Sequence, residues 1–300
     1  MSEFNNCVLC PRKCGVNRHS FKGFCKAEDK IKIARAALHN WEEPIISGQN
    51  GSGAIFFSNC NLLCVYCQNK EISQNGVGCE ITCDRLAEIF LELEDIGAHN
   101  INLVTPTPYT PLIKTALDKV KNQLTIPVIY NCGGYENPEI IKELEDYIDI
   151  YLTDFKYYDK SISKKYSYAE DYLDIATESL SVMIKTKDKP VIVNGIMKSG
   201  VIVRHLVLPS HREDSVNVLF HLNRNFNKND FILSIMAQYF PPYNLTSFPE
   251  INRKITTFEY NYVVNKAIEL GFDNAYIQER SSADKNFVPK FDLSGVYLLK

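Results

Sequence analysis

The strongest constraint on the fold is a repeated alternation of short apolar runs with stretches of helical periodicity. The run AIFF at 54–57 reads as a buried strand. Thr82 then caps a helix whose apolar face is Leu86, Ile89, Phe90, Leu93 and Ile96. Strands are predicted at 101–104, 127–131, 149–153, 201–208, 231–236 and 275–278. Helices are predicted between them at 112–120, 138–147, 170–185, 215–223 and 257–270. Alternation repeated about six times implies an α/β protein with a parallel sheet and right-handed crossovers. The pattern alone leaves open a doubly wound sheet or a full or partial barrel. In either architecture, function gathers at the carboxyl ends of the strands. Neither G-x-G-x-x-G nor G-x-x-x-x-G-K-S/T occurs, so no dinucleotide or nucleoside triphosphate site of those kinds is indicated.

Cysteine is the second constraint. The chain of 300 residues carries 10, and its apolar content of 45% is enough for a core without disulfide support. The opening residues MSEFNN hold neither a basic region nor an apolar run, so no secretory signal is expected. No stretch approaches the ~18 apolar residues of a membrane span, and no membrane partner is expected. The expected compartment is the reducing cytoplasm, where clustered cysteines point to metal or catalysis. Lys and Arg number 33 against 36 Asp and Glu, and the net charge of −3 argues against nucleic-acid binding driven by bulk charge.

The cysteines fall into two groups and a remainder. Cys60, Cys64 and Cys67 follow C-x3-C-x2-C, just after the first predicted strand. Three thiolates so close can hold three irons of a cubane and leave the fourth iron open. A closed structural zinc site would need a fourth ligand. Cys7, Cys10, Cys14 and Cys25 follow C-x2-C-x3-C-x10-C, which supplies four ligands, enough for zinc or for a second iron-sulfur cluster. Arg12, Lys13, Arg18 and Lys22 surround this group, and cations near thiolates favour their ionised form. Cys79, Cys83 and Cys132 remain.

The segment CNLLCVYC, with an aromatic before the third cysteine, is similar to the motif of radical S-adenosylmethionine enzymes. The wider chain resembles homologues of pyruvate formate-lyase activating enzyme through CVLCPRKCGVNR, ARAALHNWEEPIISGQNGSG, INLVTPTPY, IDIYLTDFKYYD, GVIVRHLVLP and MAQYFPP. The resemblance implies a partial (β/α)6 TIM-like barrel, here with a cysteine-rich N-terminal extension. The expected division is residues 1–50 for the extension and 51–300 for the barrel, joined by the turn-rich PIISGQNGSG. It also implies a 4Fe-4S cluster whose open iron binds S-adenosylmethionine. One electron cleaves the sulfonium, and a 5′-deoxyadenosyl radical abstracts hydrogen from a substrate. That substrate is a glycine of a glycyl radical enzyme, another peptide, or a small metabolite. A flavodoxin or ferredoxin-type reductant follows from the same resemblance. A non-catalytic iron-sulfur carrier or redox sensor is the reading from another class, and it has no need of an open iron.

Candidate cofactor contacts lie at predicted strand ends. Tyr66 is the aromatic of the cysteine motif. Many superfamily members carry Gly-Gly-Glu after the second strand, contacting the cofactor's amino group. This chain has Thr105-Pro106-Thr107 there, so Thr105, Thr107 or backbone must serve, unless the segment is only a rigid turn. Asn131 and Gly133 end the third strand, where glycine permits close backbone approach. Cys132 between them is a candidate hydrogen-atom donor, with a passive small residue as the alternative. Asp154 and Lys156 resemble the Asp-x-Lys anchor of activating enzymes. Arg204, a charge inside an apolar strand, must be paired, either with a cofactor carboxylate or with Asp154 or another acid. His205 alternates to the opposite face and reads as a core residue. Gln238, Tyr239, Gln278 and Glu279 follow the last strands and are candidates for the substrate side or for a structural polar network.

Overall fold

The computed structural model describes residues 2–278 and 288–297, so Glu279 lies outside the described residues. The chain begins with the four-cysteine segment and enters β1 (Ile31–His39) and a one-turn α1 (Pro44–Ser47). β2 (Ser52–Phe57) is buried along its whole length. The three-cysteine loop and the short α2 (Lys70–Ser73) lead to β3 (Cys79–Ile81). From there the alternation is regular. α3 (Cys83–Asp95), β4 (Ile101–Val104), α4 (Thr110–Val120), β5 (Val128–Cys132), α5 (Pro138–Glu143) and β6 (Ile150–Asp154) follow in turn. Two helices, α6 (Lys160–Ser167) and α7 (Tyr172–Lys187), precede a hairpin of β7 (Val191–Val193) and the long β8 (Ile196–Leu206). α8 (Arg212–Asn225), β9 (Ile232–Met236), α9 (Thr257–Glu269) and β10 (Tyr276–Ile277) complete the series.

The strands form one sheet in the order β10-β9-β8-β6-β5-β4-β2-β1-β3. Along this order every pairing from β2 to β10 is parallel, while β1 runs antiparallel to β2 and β3, and β7, off the path, runs antiparallel to β8. This is the mostly parallel α/β sheet of a partial TIM-like barrel. Among the described residues no pairing joins β10 to β3, so the barrel is not closed. Alternation and capping account for the elements. Thr82 accepts the Arg85 N–H at 3.1 Å, and α3 buries Leu86, Ile89, Phe90 and Leu93. Thr256 and Glu259 make a reciprocal capping box on α9. Ile96, expected on the buried face of α3, lies beyond its last turn and is 59% exposed.

β1 is the main departure from the sequence reading, which found little periodicity before residue 50. Its alternation is masked because Ile31, Ile33, Ala34 and Ala36 are all buried across a shift in register between Ile33 and Arg35. The chain end returns to it. Leu293 N–H donates to the Ala34 carbonyl at 3.0 Å, and Ala36 N–H to the Ser294 carbonyl at 2.8 Å. Gly295 is at φ 69°, and a Cβ there would fall 1.9 Å from the Ala36 carbonyl oxygen, so the return requires glycine. No described helix is long and apolar enough to cross a membrane.

Candidate active site

Consecutive parallel strands deliver polar residues to one cavity at their carboxyl ends, as the fold requires. Asn131 comes from β5, Asp154 from β6 with Lys156 just after it, Arg204 from β8, and Gln238 just after β9. Gln68 and Asn69, which directly follow Cys67, also line the cavity. Arg204 is held on all three guanidinium nitrogens. Nε donates to Asp154 Oδ1 at 2.9 Å, Nη1 to Glu42 Oε2 at 3.2 Å and Nη2 to Asn131 Oδ1 at 2.7 Å. Lys156 Nζ donates to the other Asp154 oxygen at 2.5 Å. The remaining Glu42 oxygen accepts the Asn102 and Asn131 amides at 3.2 and 3.4 Å. Of the two pairings open for Arg204, the structure shows the one with acids.

Burial and charge set the ionisation of this cluster. Burial pushes the Glu42 carboxyl up, against the pull of Arg204. Burial also opposes the Asp154 charge, but Arg204 and Lys156 together outweigh it and hold that carboxyl below the usual range. Lys156 is held above its ordinary value despite burial, by Asp154 and by the nearby Cys64. Glu43 is also buried beside Arg204, so three acids face two cations.

The three-cysteine loop abuts this cavity through Lys156. Cys60, Cys64 and Cys67 stand close enough that Cys64 and Cys67 add to the burial that pushes the Cys60 thiol up to about 12. Each sulfur accepts a donor: Leu62 N–H on Cys60 at 3.4 Å, the Ser167 hydroxyl on Cys64 at 2.9 Å and the Ser73 hydroxyl on Cys67 at 3.3 Å. Donors aimed at sulfur suit thiolate ligands of a cluster, whose charge they help to spread. The donor set therefore fits a 4Fe-4S cluster, and the adjoining cavity offers both signs of charge to an amino acid-bearing cofactor.

Several expected contacts lie elsewhere. Tyr66 is buried and turned away, its hydroxyl 2.5 Å from that of Tyr157, which in turn meets Ser167 Oγ at 2.6 Å. Its oxygen thus belongs to a hydroxyl chain ending on Cys64. The Thr107 hydroxyl donates to the buried Glu136 at 3.0 Å, and so does Tyr130 at 3.1 Å, so Thr107 is spent on an internal carboxylate. Thr105 is held at φ 62° with its N–H on the Asn131 carbonyl, an unusual conformation for a β-branched residue. It does not line the cavity. Cys132 faces the opposite side of β5 from Asn131. Its thiol is buried, 3.4 Å from the Thr153 hydroxyl, and burial raises its pKa well above the ordinary value. The thiol therefore lies away from the cavity that Asn131 lines. Gly133 packs against the cysteine loop: a Cβ there would sit 2.7 Å from Leu62 Cδ1, which would have to shift. His205 is a core residue, with Nδ1 2.7 Å from the Phe155 carbonyl. Gln278 Oε1 accepts the Ala237 N–H at 3.2 Å, a structural bond.

Glu42, Glu43 and Gln68 are the residues the sequence reading missed. An unpaired arginine inside an apolar strand demands acids. The Glu42-Glu43 pair before Pro44 was the signal available.

The four N-terminal cysteines come together. Cys14 and Cys25 lie near Cys10, and Cys7 and Cys14 lie near Cys25. Phe24 N–H donates to Cys14 Sγ at 3.4 Å. Among the described residues, no three Cys, His, Asp or Glu side chains converge as tightly as a single ion requires. Arg12, between Cys10 and Cys14, joins this segment to the other loop. Its Nε donates to the Asn61 carbonyl and its Nη2 to the Ser167 carbonyl, each at 2.9 Å, and its guanidinium lies 3.9 Å from the Phe24 ring centre.

A three-cysteine loop after the first strand of a parallel partial barrel, beside a charged cavity at the strand ends, defines a radical S-adenosylmethionine enzyme. Residues 54–201 match the Radical SAM superfamily profile. An uncharacterized protein of Methanocaldococcus jannaschii is 32% identical over 277 residues, covering 89% of this chain and 74% of that one. The chain belongs to the radical SAM superfamily, whose cofactors are a 4Fe-4S cluster and S-adenosylmethionine. Two solved structures align over 73% of the chain. Methylornithine synthase (PylB) does so at 13% identity, with a TM-score of 0.48 and 60% of that chain covered. SuiB of Streptococcus suis bound to S-adenosylmethionine does so at 12% identity, with a TM-score of 0.48 and 47% of that chain covered.

Proposed function

We propose that this enzyme abstracts hydrogen from a polypeptide, in the manner of an activating enzyme acting on a glycine of a glycyl radical enzyme. Cys60, Cys64 and Cys67 would ligate the cluster. Asn131, Asp154, Lys156, Arg204 and Gln238, with Glu42, would line the S-adenosylmethionine site. When bound, the cofactors supply one-electron cleavage of the sulfonium and a 5′-deoxyadenosyl radical. The chain's own residues orient and shield that chemistry. Arg204 holds Asp154, Glu42 and Asn131 through one guanidinium, and Lys156 brings positive charge near both Asp154 and the thiolates.

The observation that carries a polypeptide substrate is a groove of about 560 Å³ that continues from the cavity. The two share Gln68, Phe240, Val288 and Pro289. Pro242, Tyr243 and Phe291 extend the groove as an apolar wall, with Lys70 3.6 Å from the Tyr243 ring centre. An extended segment would lie along that wall with one residue in the polar cavity. A precursor peptide would use the same groove, and a small metabolite would leave it empty.

The test is anaerobic reconstitution with iron, sulfide, dithionite and S-adenosylmethionine. 5′-Deoxyadenosine above a Cys64→Ala control is expected. Deuterium transfer into it from a glycine-deuterated peptide supports the substrate reading, whereas transfer only from small metabolites overturns it. We further propose that Cys7, Cys10, Cys14 and Cys25 form a second metal site, docked on the first through Arg12, and that the first 50 residues act as one metal-bearing extension.

A further inference from the structure

A second cleft, of about 140 Å³, shares no lining residue with the catalytic cavity. Lys22, Lys26, Lys30 and Lys32 surround it, against only Glu28 and Glu80. Lys22 pairs with Glu28 at 3.0 Å and Lys30 with Glu80 at 3.1 Å, which uses both acids. Among the described residues, Lys26 Nζ donates only to the Gln74 carbonyl, at 3.4 Å. Among the described residues, neither Lys26 nor Lys32 has a carboxylate at salt-bridge distance, so the cleft carries an excess of positive charge.

Its position is what gives that charge a use. Asn59 forms part of the lining and is bonded covalently to Cys60. Gln74, another lining residue, donates its side-chain amide to the Cys64 carbonyl at 2.7 Å. Lys26 directly follows Cys25. The cleft thus lies where the four-cysteine segment meets the three-cysteine loop, one residue from a ligand of each. An electron arriving here would be one residue from a cysteine of each group, while the catalytic cavity stays free for substrate and cofactor.

We propose that this lysine-lined cleft is the docking surface for a small acidic one-electron carrier protein. The carrier loses one electron and an iron-sulfur group of this enzyme gains it, with no bond made or broken. Complementary charge would steer the encounter and raise the association rate, and salt would screen it. The unpaired Lys26 and Lys32 would carry most of that attraction, because Lys22 and Lys30 are already neutralised.

The experiment compares the reconstituted enzyme with Lys26→Glu/Lys32→Glu and Lys26→Gln/Lys32→Gln double variants. Reduction is followed by stopped-flow bleaching of the cluster absorbance. A reduced plant-type ferredoxin, a flavodoxin hydroquinone and dithionite serve as alternative donors. Binding of the oxidised ferredoxin and flavodoxin is measured separately by calorimetry at low and high salt. The charge-reversed variant is expected to lose about tenfold or more in reduction by at least one carrier protein at low salt, and the neutral variant less. Carrier affinity should fall in the same order and become less salt-dependent, while dithionite reduction and iron content stay within about twofold of the parent. Carrier-driven rates within twofold of the parent in both variants, or a matching loss with dithionite, would overturn the proposal. Dithionite-driven 5′-deoxyadenosine formation reports on the radical reaction itself, so failure of docking is distinguishable from failure of the enzymatic reading.

Discussion

Arg204→Ala separates two roles for this arginine, because the acids it holds are present before any cofactor binds. Its side chain is 14% exposed and that of Glu42 is 10% exposed, so the pair is largely out of water. Removing one partner of such a pair leaves an uncompensated buried charge, at a cost of about 3–5 kcal/mol. At ~2 cal/mol/K of unfolding entropy per residue, the 300-residue chain changes by about 0.6 kcal/mol/K, so a loss of ~4 kcal/mol lowers Tm by about 7 °C. The loss should depend on pH. In the parent, Asp154 has a depressed pKa, so its stabilisation exists above the unfolded value and is lost on acidification. Glu42 has a raised pKa, and its contribution is complete below the unfolded value and lost as pH rises through the folded one. Without Arg204 the first contribution shrinks and the second pKa climbs further. Both changes make the deficit larger at pH 8 than at pH 5.5. Arg204→Lys keeps the charge but not the three-way fork, and should recover only part of the loss. The assay is thermal unfolding of the apo protein by circular dichroism across that pH range. A variant within about 1 °C of the parent at pH 8, or a deficit that does not change with pH, would refute the network as described.

Three further outcomes can be measured directly. Replacing Cys60, Cys64 and Cys67 together with Ala should abolish 5′-deoxyadenosine formation yet leave either zinc or about four irons by metal analysis, and loss of both kinds of metal would remove the proposed N-terminal site. Lys156→Met should weaken S-adenosylmethionine binding about tenfold and shift the cluster potential to more negative values, since a cation beside Cys64 and Cys67 is removed. An unchanged potential by redox titration would count against that placement. Burial raises Glu136 to about 8, so folding stability tied to it is complete below the unfolded pKa and is lost as pH rises through about 8. Glu136→Gln should flatten that part of the pH–stability curve and raise Tm relative to the parent at pH 8, and a curve parallel to the parent's would contradict it.

How far the sequence could be read depended on whether the signal was local. The parallel strands and their helices were legible because each carries its own periodicity, and the Cys60–Cys67 triad because its ligands share one loop. Residues 31–39 were not, since a strand buried on both sides of a register shift has no alternation to display. The cofactor-side residues divide along the same line. Asn131, Asp154 and Lys156 could be placed because they end or directly follow predicted strands, whose carboxyl ends converge in this architecture, and Arg204 because a charge inside an apolar strand needs a partner. Cys132 shares that address, but a one-residue step along a strand reverses the face, and only the register decides which neighbour looks into the cavity. Glu42 lay furthest from reach. It precedes the barrel, 162 positions before Arg204, and the intervening chain carries no sign that the two will meet. What does call for it is physical: a guanidinium within an apolar strand cannot remain unpaired, and one acid from β6 leaves two of its nitrogens to satisfy. Counting those donors directs the search to acids outside the barrel repeats, and the nearest to the first barrel strand are Glu42 and Glu43. The extension therefore completes the cavity as well as bearing cysteines, and the mutation that tests Arg204 also tests whether the two parts of the chain form one site.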